Sequence, residues 1–541
     1  MPGKLMTVAI VGCVAAGSLV AFGHQTPKIE PVGREDVWGK GRMPDACRPY
    51  LEWFAPNQTC RTDLCVLTVS IDKSGRVADR QRLLAAIERM TGDGLTVVRL
   101  ACGGPRSNPA KRLTGADVQR AVRMVRSQAG KRGFSPDKIG ALGFSVGADL
   151  VLQLATCSQM SAYPAQDAVD GFPCNLLFAV PVEPTGAAAR KFDGMTCPMC
   201  LFQVSGKGDP PTVSTLVYRE LRRMKIPSEL HLALPEEQDR WLDRTMEFIR
   251  QMNFDGRLGP EVELKSRYDN SDARGWCARN GIWPDGQSPN RQSHQCDAFI
   301  EWNGPKVLKT KAIMIIFSGG CYMGCDPGSF EVAPARRYLN ERGMTAVALR
   351  YRVPRPKDGL AKHVSAWQDL QRAIRVVRSQ AKAKGLDPER IGVMGSSAGG
   401  HLALLGAVSS RRRAYEPIDD IDRLPCDVQM AVAIYPAYVL TDGIDCHNTG
   451  GGNGDEALVV PELSFDGSTC PVLFVHGDDD GWASMGSVKC WERLCGMGVR
   501  SELHTLAKRA HCFQRSASPG TGSYTYLERV WEFMTATGFS R

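Results

Sequence analysis

The chain has 541 residues, 43% apolar and 23% charged, with a net charge of +9. This is a globular composition, too long for one ordinary domain and suited to two of about 250 residues. So mild a charge, with no nucleic-acid motif, argues against a nucleic-acid partner, and Arg411-Arg412-Arg413 reads as a solvated helix end rather than a polyanion site.

Residues 1–23 carry Lys4, an apolar stretch from Leu5 to Phe22 and the small-residue site Ala21-Phe22-Gly23. This predicts a secretory signal peptide and a secreted or periplasmic protein, with a retained N-terminal anchor as the alternative. No later stretch is long and apolar enough to span a bilayer. Of the 19 Cys, Cys13 leaves with the signal, and the even remainder suits an oxidising compartment.

An internal repeat organises the rest. The run QRAVRMVRSQAGKRGFSPDKIGALGFSVGADL from Gln119 returns, with about half its positions unchanged and no gap, as QRAIRVVRSQAKAKGLDPERIGVMGSSAGGHL from Gln371. The flanks repeat too: CRPYLEW from Cys47 against CDAFIEW from Cys296, and Glu247-Phe248 with Phe254 against Glu532-Phe533 with Phe539. The period far exceeds that of a solenoid. A whole domain is duplicated: residues 31–254, a polar link over 255–274, and residues 275–541. Alternating strands and helices predict an α/β fold in each copy, a mostly parallel sheet flanked by helices.

In the second copy, Ala312–Phe317 reads as a strand leading into Ser318-Gly319-Gly320-Cys321-Tyr322, and Ile391–Met394 as a strand leading into Gly395-Ser396-Ser397-Ala398-Gly399 before a helix. A strand turning sharply into a helix holds the central Ser of G-x-S-x-G at a strained elbow, and small flanking residues let the two backbones nearly touch. Ser397 is the candidate nucleophile. The N–H groups of Ala398 and of Gly320 or Cys321 are the candidate oxyanion hole. Asp480 follows a strand in PVLFVHGDDDGW and His511 follows the last strand in KRAHCF, giving the chain order Ser, Asp, His. The competing readings are a solvated acidic loop at Asp478–Asp480 and an ordinary loop histidine.

With IWPDGQSP, FSGGCY, LRYRVPRP, the Gln371 run, HGDDD and ELHTLAKRAHCF in place, the chain from about Trp283 resembles the acetylxylan/feruloyl esterase-like carbohydrate esterases of the α/β-hydrolase superfamily. The resemblance implies Ser397 as nucleophile, Asp480 as orienting acid, His511 as base and an acylated polysaccharide as substrate. Two departures stand out: Cys321 replaces a third glycine in the oxyanion loop, and Ala510-His511-Cys512-Phe513 replaces G-H-G-F.

Laid on the second copy, the first keeps Ser145 opposite Ser397 and Asp209 opposite Asp480, but Gln238 falls opposite His511 and VSIDKSG replaces the glycine loop. A Ser hydroxyl with no base is a poor nucleophile. The first copy therefore reads as a pseudo-hydrolase that packs on the second, shapes its cleft or binds glycan.

Cys174 and Cys197 precede consecutive strands, as do Cys426 and Cys470, so Cys174–Cys197 and Cys426–Cys470 are expected disulfides, with six small buried reduced residues (these four, Cys47 and Cys296) as the alternative. Cys197-Pro198-Met199-Cys200 lacks the second pair of a zinc site. The expected chemistry is serine-esterase acyl transfer needing no metal or organic cofactor. The glycine-rich run 450–454 is read as part of the cleft rim. Two other classes compete: a prolyl-oligopeptidase-like peptidase, though nothing reads as a propeller, and a non-catalytic glycan-binding protein. Oligomeric state is not encoded legibly.

Overall fold

The computed structural model describes residues 29–39, 49–69, 77–102, 113–186, 191–205, 212–269, 273–284, 287–357, 359–409, 412–441, 457–481 and 483–541. The expected signal peptide, Asp209, the glycine-rich rim and most of VSIDKSG lie outside them.

The N-terminal half contributes strands β1 (Gly33–Asp36), β2 (Pro49–Phe54), β3 (Cys65–Val69), β4 (Thr96–Cys102), β5 (Ile139–Phe144), β6 (Phe178–Val182), β7 (Met199–Val204) and β8 (Ser228–Ala233). After the short β9 (Val262–Glu263), the C-terminal half contributes β10 (Arg274–Gly281), β11 (Phe299–Pro305), β12 (Ile313–Phe317), β13 (Thr345–Arg350), β14 (Ile391–Ser396), β15 (Met430–Ile434), β16 (Val472–Gly477) and β17 (Ser501–Leu506), with β18 (Ser516–Ala517) pairing β9. Strands β1–β8 and β10–β17 form one 16-stranded sheet. Its order is 1-2-4-3-5-6-7-8 in the first half and, counted from β10, the same order in the second. In each half the first two pairings, β1·β2 and β2·β4 or β10·β11 and β11·β13, are antiparallel and the rest parallel. Each half is thus the helix-flanked α/β-hydrolase sheet. Its inner strands are covered on both faces, which is why β12 reads IMIIF and β15 MAVAI, buried throughout.

The halves also repeat their polar fastenings. Trp38 Nε1 donates to Asp117 and Trp283 Nε1 to Asp369, both at 2.6 Å. Arg120 reaches Val37 O at 2.9 Å and Arg372 reaches Ile282 O at 2.7 Å, while their far ends grip Asp167 and Asp170, or Asp419 and Asp422.

The two sheets join through β8 and β17, antiparallel, with Leu232 opposite Leu503 and His231 opposite His504. An antiparallel join turns the carboxyl ends of the two parallel sets to opposite edges. The Ser145 and Ser397 elbows therefore open on opposite edges, and the first half's elbow takes no part in shaping the second half's cleft. The stretch 255–274 is more than a tether. Leu264 and Tyr268, one helical turn apart, are buried, and Tyr268 meets Tyr338 edge-on at 5.9 Å.

The expected disulfides do not form: Cys174, Cys197, Cys426 and Cys470 are free, buried thiols. Register explains it. With Ala179 opposite Met199 and Ala431 opposite Val472, Cys197 and Cys470 align with Leu177 and Gln429, so each supposed partner sits three residues earlier in the chain. Three extended residues span about 10 Å, beyond disulfide reach. Cys174 and Cys426 instead donate to the carbonyls of Ser158 and Ser409 at 3.2 and 3.3 Å.

Candidate active site

The turn from β14 into the helix Ala398–Ala407 sets Ser397 at φ 55°, ψ −122°. A Cβ on Gly395 would lie 2.2 Å from Gly399 O, and one on Gly399 2.6 Å from Ser318 O, so strand, helix and neighbouring loop approach only because these residues are glycine. Ser145 keeps the same elbow at φ 52°, ψ −116°.

Three strand ends converge on Ser397. His511 Nε2 lies 2.8 Å from its Oγ, and His511 Nδ1 lies 2.7 Å from Asp480 Oδ2. Nδ1–H donates to the carboxylate, which leaves Nε2 to accept the serine proton. A second imidazole shares that carboxylate: His476 Nε2 is 2.9 Å from Asp480 Oδ2, and His476 Nδ1 is 2.8 Å from Ser487 Oγ. Burial alone would raise the Asp480 carboxyl, but the hydrogen bonds from His476 and His511 outweigh it and hold the group well below the usual carboxylate range. Burial keeps His476 itself neutral.

The three aspartates of this loop divide their work. Asp479 is exposed. Asp478 turns to the other half, accepting from Tyr218 Oη at 3.0 Å and from the N–H of Ser228 at 3.1 Å, so Asp480 is the one left for His511.

The loop after β12 completes the setting. The N–H of Gly319 is taken by buried Glu331 at 2.7 Å, and a Cβ there would lie 2.7 Å from Ser397 Cβ. Burial pushes the Glu331 carboxyl up; besides Gly319 it accepts from Tyr435 Oη at 3.0 Å. Gln514 links Tyr435 to Ser396. Gly320 (φ 103°) and Cys321 (φ 54°), the two candidate oxyanion positions, follow, and Cys321 is disulfide-bonded. Cys512, beside His511, stands at φ 61°. Both cysteines that replace family glycines thus sit in the left-handed region where glycine is least strained, and such strain gathers at functional sites. Sequence patterns do not single out His476, Glu331 or Gln514; the one signal is that His476 shares a strand end with Asp480.

In the first half Gln238 is exposed on a short helix, Pro235–Arg240, and offers Ser145 no base. His231 is committed to the seam, 3.1 Å from His504. Asp149, which matches His401, caps the backbone of Thr185 and Gly186 at 2.9 Å each. Among the described residues, the group close enough to hold a cation is Cys200, Glu229 and His231, buried at the seam, where His231 and Glu229 already satisfy each other at 3.0 Å.

The model of the BD-FAE family matches residues 302–458. The match takes in the Gly320 loop and Ser397 and ends before Asp480 and His511. Esterase LipQ of Mycobacterium tuberculosis is 29% identical over 150 residues, 27% of this chain and 34% of its own length. An acetylxylan esterase of Xylanibacter ruminicola is 30% identical over 118 residues, 20% of this chain and 23% of its own length. The chain thus spans about a third or less of these relatives. The chain is also similar to a solved acetyl ester-xyloside bifunctional hydrolase of Caldicellulosiruptor lactoaceticus, at 24% identity over 49% of this chain and 97% of that one, with a TM-score of 0.40.

Proposed function

We propose that the C-terminal half is a serine esterase hydrolysing acetyl or feruloyl esters on plant-type polysaccharides, and that the N-terminal half is a pseudo-esterase. The observation that carries this reading is the line from Ser397 through His511 to Asp480, at 2.8 and 2.7 Å, on a strained elbow. His511 takes the Ser397 proton as Oγ attacks the ester carbonyl, and Asp480 stabilises the imidazolium. The N–H groups of Ala398 and of Gly320 or Cys321 receive the oxyanion; Gly319 is excluded because its N–H serves Glu331. Collapse releases the alcohol with the proton from His511. Water, deprotonated by His511, then frees the acid and restores Ser397. The family match supports ester chemistry, and the acetylxylan esterase relative supports an acylated glycan. The apolar N-terminal stretch supports a secreted or periplasmic location, which N-terminal sequencing of the exported protein would test. Among the described residues no helix is long and apolar enough to cross a membrane.

The test is p-nitrophenyl acetate hydrolysis by the protein, Ser397→Ala and Ser145→Ala. Activity falls to background in Ser397→Ala alone, and acetylated and feruloylated xylans then rank the substrates. Equal rates in all three proteins would overturn the reading.

A further inference from the structure

The first half lacks a base and its elbow faces away, yet it is fastened to the loops that bear Asp480 and His511. The antiparallel join sets the amino-terminal edge of the first sheet beside the carboxyl-terminal edge of the second. There the helix Thr212–Arg223 and the start of β8 meet the acid loop. Three donors from the first half surround Asp478, two residues from Asp480: Tyr218 Oη at 3.0 Å, Arg222 Nη1 at 3.2 Å and Ser228 N–H at 3.1 Å. Arg222 Nη2 also donates to Gly481 O at 2.7 Å, on the other side of Asp480. The acid loop is thus gripped at both ends by one guanidinium. Tyr218 and Asp478 are almost wholly buried and Arg222 largely so, so water does not compete for these contacts.

The base loop is held from the same side. Arg509, two residues before His511, donates to Gln251 of the first half at 3.3 Å and to Glu261 of the link at 2.5 Å. Glu261 also accepts from Ser516 Oγ at 2.6 Å, beside the β9·β18 pair. The two loops are tied to each other where Asp479 N–H meets Arg509 O at 2.8 Å.

We infer that the N-terminal half is the positioning partner of the catalytic loops: Tyr218, Arg222 and Ser228 hold the acid loop through Asp478 and Gly481, and so fix Asp480 against His511. This rests on the esterase reading above. Tyr218 and Arg222 are positioning residues that touch neither substrate nor reacting atoms, and they account for the retention of a half with no base. A displacement of even a fraction of an ångström between Asp480 and His511 weakens the contact that orients the imidazole and stabilises its charged form.

The experiment compares kcat and KM for p-nitrophenyl acetate in the full chain and in Tyr218→Phe, Arg222→Met, Arg222→Lys and Asp117→Ala. The last disrupts the first half at Trp38, far from the clamp. Thermal midpoints confirm folding. The expected result is a fall in kcat of about tenfold in Arg222→Met and a smaller fall in Tyr218→Phe, with KM nearly unchanged. Arg222→Lys recovers part of the loss. Asp117→Ala lowers the thermal midpoint and leaves kcat near the wild-type value. Folded Arg222→Met with wild-type kcat overturns the inference, as does an equal kcat loss in Asp117→Ala. A wild-type protein with no ester hydrolysis overturns the esterase reading instead.

Discussion

His231 Nδ1 lies 3.1 Å from His504 Nδ1 across the join of the two sheets. The outer nitrogens of the two rings face Glu229 at 3.0 Å and Glu502 at 3.4 Å, so four titratable side chains form one buried line. Burial holds both rings neutral and pushes both carboxyls up, to about 8. Facing Nδ1 atoms need one donor and one acceptor. The line then closes with one Glu ionised, accepting from its ring, and the other protonated, donating to its ring.

That proton makes the seam sensitive to pH. A carboxyl raised in the folded state retains a proton that the unfolded chain releases near the ordinary glutamate value of about 4.3. Its contribution is complete below that value and is lost as pH rises through about 8. The thermal midpoint should therefore fall between about pH 5 and pH 8 and then level, and Glu502→Gln should flatten the fall. A midpoint that rises over this window would contradict the assignment.

Gly319→Ala should abolish most activity in a folded protein. The new methyl would lie 2.7 Å from Ser397 Cβ and 2.8 Å from Ser396 O, so Ser397 must move. A loss on the order of 10²-fold in kcat is expected from steady-state kinetics, with a near-normal circular dichroism spectrum.

His476→Leu should lower kcat by about tenfold or more, because Asp480 loses one of two charge-strengthening donors. His476→Gln, whose amide reaches a similar position, should retain more activity. Equal kcat in wild type and His476→Leu would show that one imidazole suffices to orient Asp480.

Cys512 tests the strain beside His511. At φ 61°, Cys512→Gly should leave the thermal midpoint unchanged or raise it, whereas Cys512→Val should lower stability by about 1–3 kcal/mol. Thermal denaturation of the two variants decides it, and equal effects would remove strain as the explanation.

Much of the fold is legible because its rules are local. Apolar runs mark the inner strands, and Gly395 and Gly399 mark the elbow, since each occupies a place where a Cβ would strike backbone. The convergence of Ser397, Asp480 and His511 follows from their places at strand ends. The thiols are not legible that way, because the offset of Cys174 from Cys197 depends on register, which spacing does not reveal. Nor is the sharing of HGDDD: His476 and Asp480 serve His511 while Asp478 serves Tyr218 and Arg222, a division set by a half nearly 260 residues away in sequence. The antiparallel join has no motif, because its partners are ordinary strand residues until two folded sheets meet.

The join also has a symmetry of its own. Glu229 accepts from Ala507 N–H as Glu502 accepts from Leu234 N–H, and Arg244 grips Glu532 as Arg529 grips Glu247. Each of these four contacts has its mirror with the halves exchanged, as in an isologous interface between identical subunits. Here both subunits lie on one chain at fixed stoichiometry. A C-terminal half produced alone would bare the β17 edge with Glu502, His504 and Arg529, a surface that is nearly its own complement, and it would meet a second copy of itself there.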